Sequence, residues 1–525
     1  MPHVRADFKH LIFKTYFSVS ATKRMEKSYE KAIEFLGTLK TNASVLESIR
    51  QSGGKLNDRS LPEMREYCRR IGYEVSRDFD KLNIIHISGT KGKGSVCMFT
   101  ESILGNLTHM DGMPRLRFGT YTSPHLRSVR ERIRIDGKKL NKEDFTNYCF
   151  EVYERLNKAE AANPGMLIDD IPIGTPEYFR FLTLLAFHTF MRKKVDVAII
   201  EVGIGGAYDP TNVIEKPIVC GVASLGYEHQ SLLGHTLASI AWNKGGIFKH
   251  GVPAITVEQQ TEAMKVLIKR AEDIKAPLKQ VQPLTKESLH GATLGLPGDH
   301  QFANAALAIE LCRVWLQRCH NIRISEQNPP KEFMKGLQSA HYPGRGHIVK
   351  DQRYPKITWF LDGAHTAESV KACARWFGDV TDQDAGSNET TDRILLFSCT
   401  KDRIGQPMLE ELGLIHQKNR FHHAIFCTNL PSLTNNYNID LHHNTVEDDP
   451  TLKLQHMMAE KWKGLVIKPK NTGHTCDTHV LPTIEDAINW ITEYNKRTDA
   501  SLQVLVTGSL HLIGGFMAIL EIDVD

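Results

Sequence analysis

The residues best suited to chemistry stand in the segment HISGTKGKGS, residues 86–95, where glycines alternate with Lys91 and Lys93. Glycines leave backbone N–H groups accessible and the ammonium groups add positive charge, a combination that suits a polyphosphate. The strict G-x-x-x-x-G-K-[ST] motif is not met, because Gly94 separates Lys93 from Ser95. A strand-like run precedes the segment and a helix-like run follows it, which favours a phosphate loop over a glycine-rich turn with solvated lysines. Lys93 would meet the β and γ phosphates, and Ser95 would open the helix.

Two further apolar runs end in side chains that could hold a metal. Glu201 stands near the end of VDVAIIEVG, and Glu228 and His229 follow PIVCGVASLG. A buried lone carboxylate is costly unless a cation accompanies it. Because ligands collect at the carboxyl ends of strands in an open parallel sheet, the phosphate loop, the acid and the histidine should converge at one edge. The pattern predicts that a Mg²⁺ ion bound to ATP joins them there.

Lys244 has an unusual position in the helix-like segment LASIAWNK. Leu237, Ile240 and Ala241 lie at i, i+3 and i+4, and Lys244 at i+7 falls on the same apolar face. Burial would disfavour the ammonium form and lower its pKa. A neutral amine can react with carbon dioxide to give a carbamate, an anionic group that could position metal or phosphate. The alternative is a lysine whose stem packs while its amine reaches solvent.

Parallel sheets are needed to position these residues, and the chain alternates strand-like and helix-like segments as βαβ units do. The first series of strand-like runs is NIIHIS, VDVAIIEVG and PIVCGVASLG, and the second is ITWFLDG, RILLFSC, HHAIFCTN and LQVLVTG. Residues 319–343, rich in Pro, Gly, Gln and Asn, predict a linker between two domains. Polar segments at about 380–392 and 429–480 predict loops or insertions.

Composition bounds the class of protein. A chain of 525 residues is long enough for two or more domains with full cores. Its 65 Lys and Arg against 61 Asp and Glu leave an excess concentrated in residues 1–24, so the body is electrically balanced and nucleic acid is not the expected partner. No apolar run approaches the ~20 residues that span a bilayer. The scattered cysteines form no C-x-x-C pair, which predicts reduced thiols.

The leader, residues 1–24, is basic, contains several hydroxyl side chains and has one apolar helical side, the composition of a mitochondrial presequence. A disordered basic tail is the alternative. Met25 follows the leader directly. Starts at Met1 and Met25 would therefore give a mitochondrial matrix form and a cytoplasmic form.

From Met25 to about Leu520 the chain resembles the eukaryotic folylpolyglutamate synthase family of the Mur ligase superfamily. The motifs that carry the resemblance, in the same order, are HISGTKGKGS, TSPHLRSVRERIRI, PEYFRFLTLLAFH, EVGIGGAYDPTNVI, SLLGHT, AWNKGGIFK, GDHQFANAALA, PGR, LDGAHT and VLVTGSLHLIGG. The resemblance implies an α/β fold with an N-terminal P-loop ATPase-like domain, residues 25–318, built on a parallel-rich sheet that binds ATP and folate. It also implies a C-terminal Rossmann-like domain, residues 344–525, on the glutamate and nucleotide side of the linker. Cytosolic and mitochondrial forms are known in the family.

The implied reaction joins L-glutamate through a γ-linkage to a tetrahydrofolate that already carries glutamate, with ATP giving ADP and phosphate. The γ-carboxylate is a poor electrophile, so it first takes the γ-phosphoryl group as an acyl phosphate, which the glutamate amine then attacks. Charge accumulates on oxygens in both steps, so Mg²⁺ and fixed donors are required. The resemblance also implies a monovalent cation as a further cofactor and a monomer.

The resemblance assigns roles to residues that match its motifs. Those implied for ATP are Gly92, Lys93, Gly94, Ser95, Asn304, Arg345 and Asp362. Those implied for the metal are Ser123, Glu201 and His229. The catalytic residues are Lys244, matching a carbamylated lysine, and His365, which would serve the incoming glutamate. The substrate-binding residues are Pro124, His125, Arg130 and Ser509. Ser509 also has a physical basis, because it follows a strand and a glycine at a predicted helix N-terminus suited to a carboxylate.

Two features of these motifs leave questions open. Arg127, Arg130, Arg132 and Arg134 crowd one segment, and arginine grips carboxylates bidentately. Alternate strand residues face opposite sides, so only some of the four can reach pterin-glutamate carboxylates. Glu228 stands where the family usually has Asp before the metal histidine, and we expect activity to survive this longer side chain.

Three alternatives remain. A dihydrofolate synthase or bifunctional enzyme would add the first glutamate to dihydropteroate with the same machinery. Another Mur-type ligase would share the fold but not the folate-side motifs. A non-catalytic nucleotide-binding protein would have no reason to keep Lys93, Glu201, His229 and Lys244 together.

Overall fold

The computed structural model describes residues 27–39, 58–107, 110, 113–168, 171–289, 291–326, 329–383, 390–400, 405–434, 440, 450–466 and 476–523. The basic leader, on which the targeting prediction rests, lies outside these residues. The described chain forms two α/β domains, each built on a largely parallel sheet. No helix among these residues is long and apolar enough to cross a membrane.

The first domain is organised around an eight-stranded sheet and a separate small hairpin. Its strands, in chain order, are β1 (Ile85–Ser88), β2 (Phe118–Tyr121), β3 (Ile133–Ile135), β4 (Lys138–Lys139), β5 (Leu167–Ile168), β6 (Ile171–Pro172), β7 (Val197–Glu201), β8 (Val219–Val222), β9 (Ala254–Thr256) and β10 (Leu278–Gln280). The large sheet has the order β10-β9-β8-β1-β7-β2-β3-β4. The strands from β10 to β2 are parallel, and β3 and β4 add an antiparallel edge.

Helices cover both faces of this sheet. In chain order they are α1 (Tyr29–Thr38), α2 (Ser60–Arg70), α3 (Val75–Asp78), α4 (Lys93–Leu107), α5 (Lys142–Ala162), α6 (Tyr178–Lys193), α7 (Gln230–Leu233), α8 (Leu237–Lys244), α9 (Thr261–Asp273), α10 (His300–His320) and α11 (Lys331–Ser339). Side chains of β7 alternate between the two layers: Val197 and Ile199 pack with α4, α10 and α11, whereas Ala198 and Ile200 pack with α1, α2, α5 and α6. Burial on both faces explains the continuous apolar runs of the central strands.

The second domain contains a six-stranded sheet of order β11-β12-β16-β13-β14-β15. Its strands are β11 (His347–Lys350), β12 (Ile357–Asp362), β13 (Thr391–Phe397), β14 (His423–Cys427), β15 (Asp477–Leu481) and β16 (Ser501–Thr507). Only β11 is antiparallel to its neighbour. The helices are α12 (Ala367–Gln383), α13 (Gln406–Asn419), α14 (Lys453–Val466), α15 (Ile484–Arg497) and α16 (Leu510–Ile519). Trp359 and Phe360, adjacent on β12, enter separate buried clusters on opposite faces.

The predicted fold class is confirmed, since all seven strand-like runs form strands of the two sheets. The range 319–343, predicted as a linker, also contains α11. Phe333 and Leu337 of this helix are fully buried beside α4, and a Cβ at Gly336 would lie 2.6 Å from Ile103 Cα. The domain boundaries stay a prediction, but this packing places α11 in the first domain, so the connection narrows to about residues 340–346.

The range 429–480 was predicted to be a loop or an insertion, and the loop prediction is wrong for the part that forms α14 and β15. Trp462 and Met458 of α14 are buried against the second sheet, but polar stretches of sequence flank the helix on both sides and hide its apolar face. β15 is an edge strand that is only partly buried, so it lacks the apolar run of a central strand.

Candidate functional site

The phosphate-loop segment connects β1 to α4 at the carboxyl edge of the first sheet. Gly92 has φ +85°, and α4 begins at Lys93, so the turn leaves the first N–H groups of the helix directed outward. The loop is tied to the end of the neighbouring strand, because Thr90 N and Lys91 N donate to Ser224 O at 2.9 and 3.1 Å. Lys93 Nζ donates to Gly89 O at 3.0 Å. This geometry suits a polyphosphate lying over the helix N-terminus.

Side chains from other elements pack closely against the phosphate loop. A Cβ at Gly92 would lie 2.3 Å from Asn304 Oδ1, and one at Gly94 would lie 2.6 Å from Tyr342 Oη. Gln301 Nε2 donates to Ser95 Oγ at 3.2 Å and its oxygen accepts from Asn304 Nδ2 at 2.9 Å. Both glycines are thus required by close packing. The sequence analysis did not single out Gln301 or Tyr342. The only signals for them were that Gln301 lies in the motif GDHQFANAALA and that Tyr342 directly precedes PGR.

Glu201 ends β7 one strand away, next to the loop that follows β2. Its Oε2 accepts from Ser123 N at 3.0 Å, and the side chain is only 3 % exposed. Burial raises the pKa of Glu201, an effect that the ammonium group of Lys93 opposes. A carboxylate held in this way gains from a nearby cation.

His229 lies beyond β8 in a left-handed conformation, φ +49°. Burial lowers the pKa of His229 below its usual value, which keeps the imidazole neutral and able to bind a metal. Glu228 Oε1 lies 3.5 Å from Lys91 Nζ. Burial would raise the pKa of Glu228, but Lys91 and Lys93 outweigh it and the net pKa is lowered. Glu228, one methylene longer than the usual Asp, therefore forms an ion pair with Lys91 of the phosphate loop.

Lys244, at the end of α8, is 1 % exposed and donates from Nζ to Gly89 O at 2.7 Å. Gly89 O thus accepts from both Lys93 and Lys244. Burial, reinforced by the charge of Lys93, lowers the pKa of Lys244 to about 7. The snorkelling alternative is excluded by this burial, and the amine is substantially neutral at physiological pH.

The segment between β2 and β3 carries the predicted folate-side residues. Glu131 accepts from three backbone N–H groups, those of Leu126, Arg127 and Ser128, at 2.8, 3.0 and 2.6 Å. Burial raises the pKa of this carboxyl group even though these donors oppose the shift. Glu131 therefore folds the loop back on itself before a 3-10 helix, Val129–Arg132, begins.

The four arginines have separate environments. Arg132 Nε donates to His125 Nδ1 at 2.8 Å, and its guanidinium carbon lies 5.6 Å from the Tyr178 ring centroid. Arg134 pairs with Glu101, and Arg127 donates to the Ile522 carbonyl. Arg130 Nη1 donates to Leu140 O at 2.9 Å, and its guanidinium carbon lies 5.5 Å from the Tyr29 ring. Of the four, Arg132 contacts a predicted substrate-binding residue, His125, and Arg134 lines a cavity together with Pro124 and His125.

The second domain brings Arg345 and Asp362 to the same edge. Asp362 accepts from Gly346 N and Ala364 N at 2.8 and 2.9 Å. Burial raises the pKa of Asp362, and the nearby Arg345 opposes the shift. His300, at the start of α10 in the first domain, is also within electrostatic reach of both groups. His300 was not singled out from the sequence, although it stands in a quoted motif.

His365 and Ser509 lie at adjacent strand ends of the second sheet. His365 Nδ1 and Gly363 O are 2.9 Å apart, and His365 N donates to Ser369 Oγ at 3.1 Å. Ser509 is the N-cap of α16 and accepts from His511 N at 3.1 Å. The predicted helix N-terminus at Ser509 is present, and Gly508 N donates to Ala364 O at 3.0 Å, which holds the two loops together.

A cavity between the domains connects these elements. It is lined by Met98, Thr122, Pro124, His125, Leu126, Glu131, Arg134, Tyr342, Pro343, Arg345 and Leu510. Of the predicted substrate-binding residues, Pro124 and His125 thus share one cavity with Arg345, whereas Arg130 and Ser509 do not line it. A larger cavity at the opposite edge of the first sheet, near Asn83 and Arg318, contains none of the predicted residues.

The donor set fits a metal held jointly with phosphate. Lys93 lies within electrostatic reach of both Glu201 and His229. In the described part of the chain no group of three or more His, Cys, Asp or Glu side chains could hold a metal ion by itself. A carboxylate and a serine hydroxyl are oxygen donors of the kind that Mg²⁺ takes when substrate phosphates and water supply further oxygens, and the neutral imidazole of His229 would be a less usual addition to this set.

Known proteins resemble this chain along most of its length. Mitochondrial folylpolyglutamate synthase of Homo sapiens is 39% identical, over 94% of this chain and 92% of the human protein. The Mycobacterium tuberculosis folylpolyglutamate synthase complexed with ADP superposes with a TM-score of 0.67 at 22% identity, covering 94% of this chain and 100% of that one. The Yersinia pestis bifunctional folylpolyglutamate synthase/dihydrofolate synthase complexed with AMPPNP and a Mn ion gives 0.64 at 21%, covering 95% and 100%. No family model matches the chain.

Proposed function

The chain belongs to the folylpolyglutamate synthase family, and we propose that it uses ATP to add L-glutamate through a γ-linkage to tetrahydrofolate and its polyglutamates. ADP and phosphate are the other products, and an acyl phosphate is the intermediate. The observation that carries the proposal is the convergence of the phosphate loop, Glu201, His229 and Lys244 on one edge of the first sheet.

The chain's own groups suit the first step, transfer of the γ-phosphoryl group to the folate γ-carboxylate. Lys93 and the N–H groups at the start of α4 would hold the triphosphate, with Gly92, Gly94 and Ser95 forming the turn. Arg345 would approach the phosphates from the second domain, while Asn304 and Asp362 would contact the nucleotide. Mg²⁺, held by Ser123, Glu201 and His229, would supply charge stabilisation for the transferred group.

Folate would enter between the domains. Pro124 and His125 line the interdomain cavity, and Arg132 is bonded to His125. We retain Arg130 as a predicted substrate residue, although its guanidinium group already donates to Leu140 O. Arg132 is the better supported partner for a folate carboxylate, because arginine grips carboxylates bidentately.

The second step, attack by the glutamate amine, would draw on the second domain. Ser509 at the N-terminus of α16 and His365 beside it would bind the incoming glutamate, whose carboxylate suits a helix N-terminus. Docking of the two domains would also exclude water from the acyl phosphate.

Lys244 is proposed to act as a carbamate. Its amine is buried, has a pKa of about 7 and lies beside Lys93 and His229, where an anionic group would be stabilised. The carbamate would position the metal or the phosphates. The proposal further includes a monovalent cation, which rests on the family resemblance.

Location and assembly complete the proposal. The human relative is named as mitochondrial. The basic composition of residues 1–24 and the second methionine at position 25 support matrix and cytoplasmic forms made from starts at Met1 and Met25. A monomer is part of the same proposal, with the predicted domains at 25–318 and 344–525 and with α11 of the predicted linker packed on the first of them.

The test is incubation of protein starting at Met25 with Mg-ATP, tetrahydrofolate and labelled L-glutamate, followed by mass analysis of the folates. We expect successive glutamyl additions, and none with Lys93→Ala, which removes the phosphate-loop ammonium group. A parallel reaction with dihydropteroate separates the alternatives: glutamylation of that substrate would indicate a dihydrofolate synthase or a bifunctional enzyme. Inertness toward both substrates, with ADP still bound, would contradict the proposal and leave a non-catalytic nucleotide-binding protein.

A further inference from the structure

The loop between β2 and the 3-10 helix is held by the second domain as well as by the first. Leu126 belongs to the buried cluster that contains Leu512 and Ile513 of α16. Its carbonyl oxygen lies so close to α16 that a Cβ at Gly514 would be 2.1 Å from it. Arg127 Nη1 donates to Ile522 O. Two consecutive residues of the predicted folate loop are therefore packed on the second domain.

Asp440 makes a third contact from the second domain to this region. Its Oδ2 accepts from Tyr29 Oη at 2.7 Å and lies 3.3 Å from Val129 N, which also donates to it. Tyr29 Oη and Ser128 Oγ are 3.1 Å apart. Asp440 is 4 % exposed and Tyr29 is 8 % exposed. A carboxylate buried at this depth is costly unless donors hold it, so the contact has a defined geometry.

The contact leads directly to predicted substrate residues. Ser128 caps the 3-10 helix that Val129 begins, and Arg132 at the end of this helix donates to His125. Glu131 holds the loop through backbone N–H groups that include Ser128 N. Tyr29 and Asp440 hold it at two other atoms, Ser128 Oγ and Val129 N. Removal of Asp440 would take away the acceptor that Val129 N and Tyr29 Oη share, at the base of the segment that carries Arg132.

We propose that Asp440 is a positioning residue. Together with Tyr29, it links docking of the second domain to the conformation of residues 122–132, which comprise the predicted folate loop and the 3-10 helix after it. The inference rests on the proposed function. It predicts that folate affinity depends on this contact, whereas ATP affinity, which derives chiefly from the phosphate loop on the first domain, does not.

The test uses Asp440→Ala, Tyr29→Phe and the double variant in the full chain. Because a hydrogen bond to a charged group contributes ~1.5–3 kcal/mol, we expect Asp440→Ala to raise KM for tetrahydrofolate about ten- to a hundredfold. KM for Mg-ATP should change by less than about twofold. The two substitutions interrupt the same contact, so the double variant should resemble Asp440→Ala alone.

A matched control is available within the second domain. Tyr494 Oη donates to Asp392 Oδ2 at 2.7 Å, so Tyr494→Phe removes a tyrosine–aspartate hydrogen bond of equal length far from the folate loop. This variant should leave both KM values unchanged. Asp440→Asn, which keeps one oxygen acceptor, should give an intermediate rise in KM and serves if the alanine variant does not fold.

Three results would overturn the inference: an unchanged KM for tetrahydrofolate, an equal rise in KM for both substrates, or additive effects of the two substitutions. A loss of kcat alone with a lower melting temperature would indicate a merely structural contact. The wild-type chain separates this inference from the proposed function, because an inert wild type contradicts the function, whereas an active wild type with unaltered variants contradicts only the role of Asp440.

Discussion

At the scale of single residues, Lys244 is a buried lysine whose amine donates to the backbone oxygen of Gly89. The spacing of its apolar neighbours predicted a buried face, and the side chain is indeed buried. The sequence could not show that its amine meets Gly89 O, because the two residues are 155 positions apart and only the packing of α8 under β1 joins them. The same limit applies to the pairing of Glu228 with Lys91. Residue types and local periodicity predict burial, whereas partners depend on the tertiary fold.

The lowered pKa of Lys244 predicts a pH-dependent stability. In the unfolded chain the amine has an ordinary pKa of 10.5, whereas in the folded chain it is about 7. Between these values only the unfolded state binds the proton, so this group makes the wild type more stable as pH rises. Lys244→Met removes the titration. Its stability relative to wild type should be greatest below about pH 7 and should decline toward about pH 10, measured by urea unfolding in carbonate-free buffer.

Lys265→Met provides the comparison, since Lys265 is exposed on α9. Its unfolding free energy should follow the wild type at every pH. If Lys244→Met also runs parallel to the wild type, the amine is not neutralised by burial.

The elements of the fold were predicted unevenly. Central strands such as β1 and β7 have apolar runs because helices cover both faces, and these were found from the sequence. The short edge strands β4 and β10 and the helix α11 were not, because their residues are partly exposed or lie in a Pro- and Gln-rich context. The phosphate loop was recognised from its glycines, but its contacts with α10 and Tyr342 come from elements distant in the chain.

Those contacts predict different outcomes for two glycines of the loop. Gly94→Ala would bring Cβ within 2.6 Å of Tyr342 Oη, and such overpacking costs ~1–3 kcal/mol. We expect weaker ADP binding by calorimetry, and recovery when Tyr342→Ala removes the obstruction. Gly92→Ala meets Asn304 but also has φ +85°, which costs a further ~1–2 kcal/mol for a residue with a side chain.

Asn304→Ala should therefore restore ADP binding to Gly92→Ala only in part. Equal recovery of ADP binding in the two double variants, Gly94→Ala with Tyr342→Ala and Gly92→Ala with Asn304→Ala, would show that steric space, and not backbone conformation, limits both glycine positions. No recovery in the Gly94 pair would show that Tyr342 is not the obstacle.

On the scale of the whole molecule, segments from distant parts of the chain line one cavity between the two domains. The sequence predicted both domains and most of the residues at their strand ends, since each motif is local. It could not predict that Tyr29 meets Asp440, 411 positions away, because neither residue lies in a chemical motif. Contacts that dock domains depend on surfaces created only after each domain has folded.

Leu126 gives a test of that docking. Its side chain is buried in the core of the second domain, so Leu126→Asp would bury an unpaired carboxylate there, at a cost of several kcal/mol. We expect the domains to separate instead. Small-angle scattering should report a larger radius of gyration, and tetrahydrofolate turnover should be lost. Leu167→Asp, at a leucine that is 51 % exposed, should leave the radius unchanged. An unchanged radius for Leu126→Asp would mean that the loop is not part of the docked interface.

Helix α1 limits how far the amino terminus can be shortened during maturation. Ser28 caps this helix by accepting from Lys31 N, and Tyr29, Phe35 and Leu36 lie in the buried cluster beneath it. A mitochondrial processing peptidase that removes the leader would therefore have to cut upstream of Ser28 to leave the core intact. The next methionine after Met25 is Met64, inside α2, so ribosomes that bypass both early start codons would produce a chain without α1. Under the proposed targeting, a single ten-residue helix would thus set the same boundary for removal of the leader and for the choice of start codon.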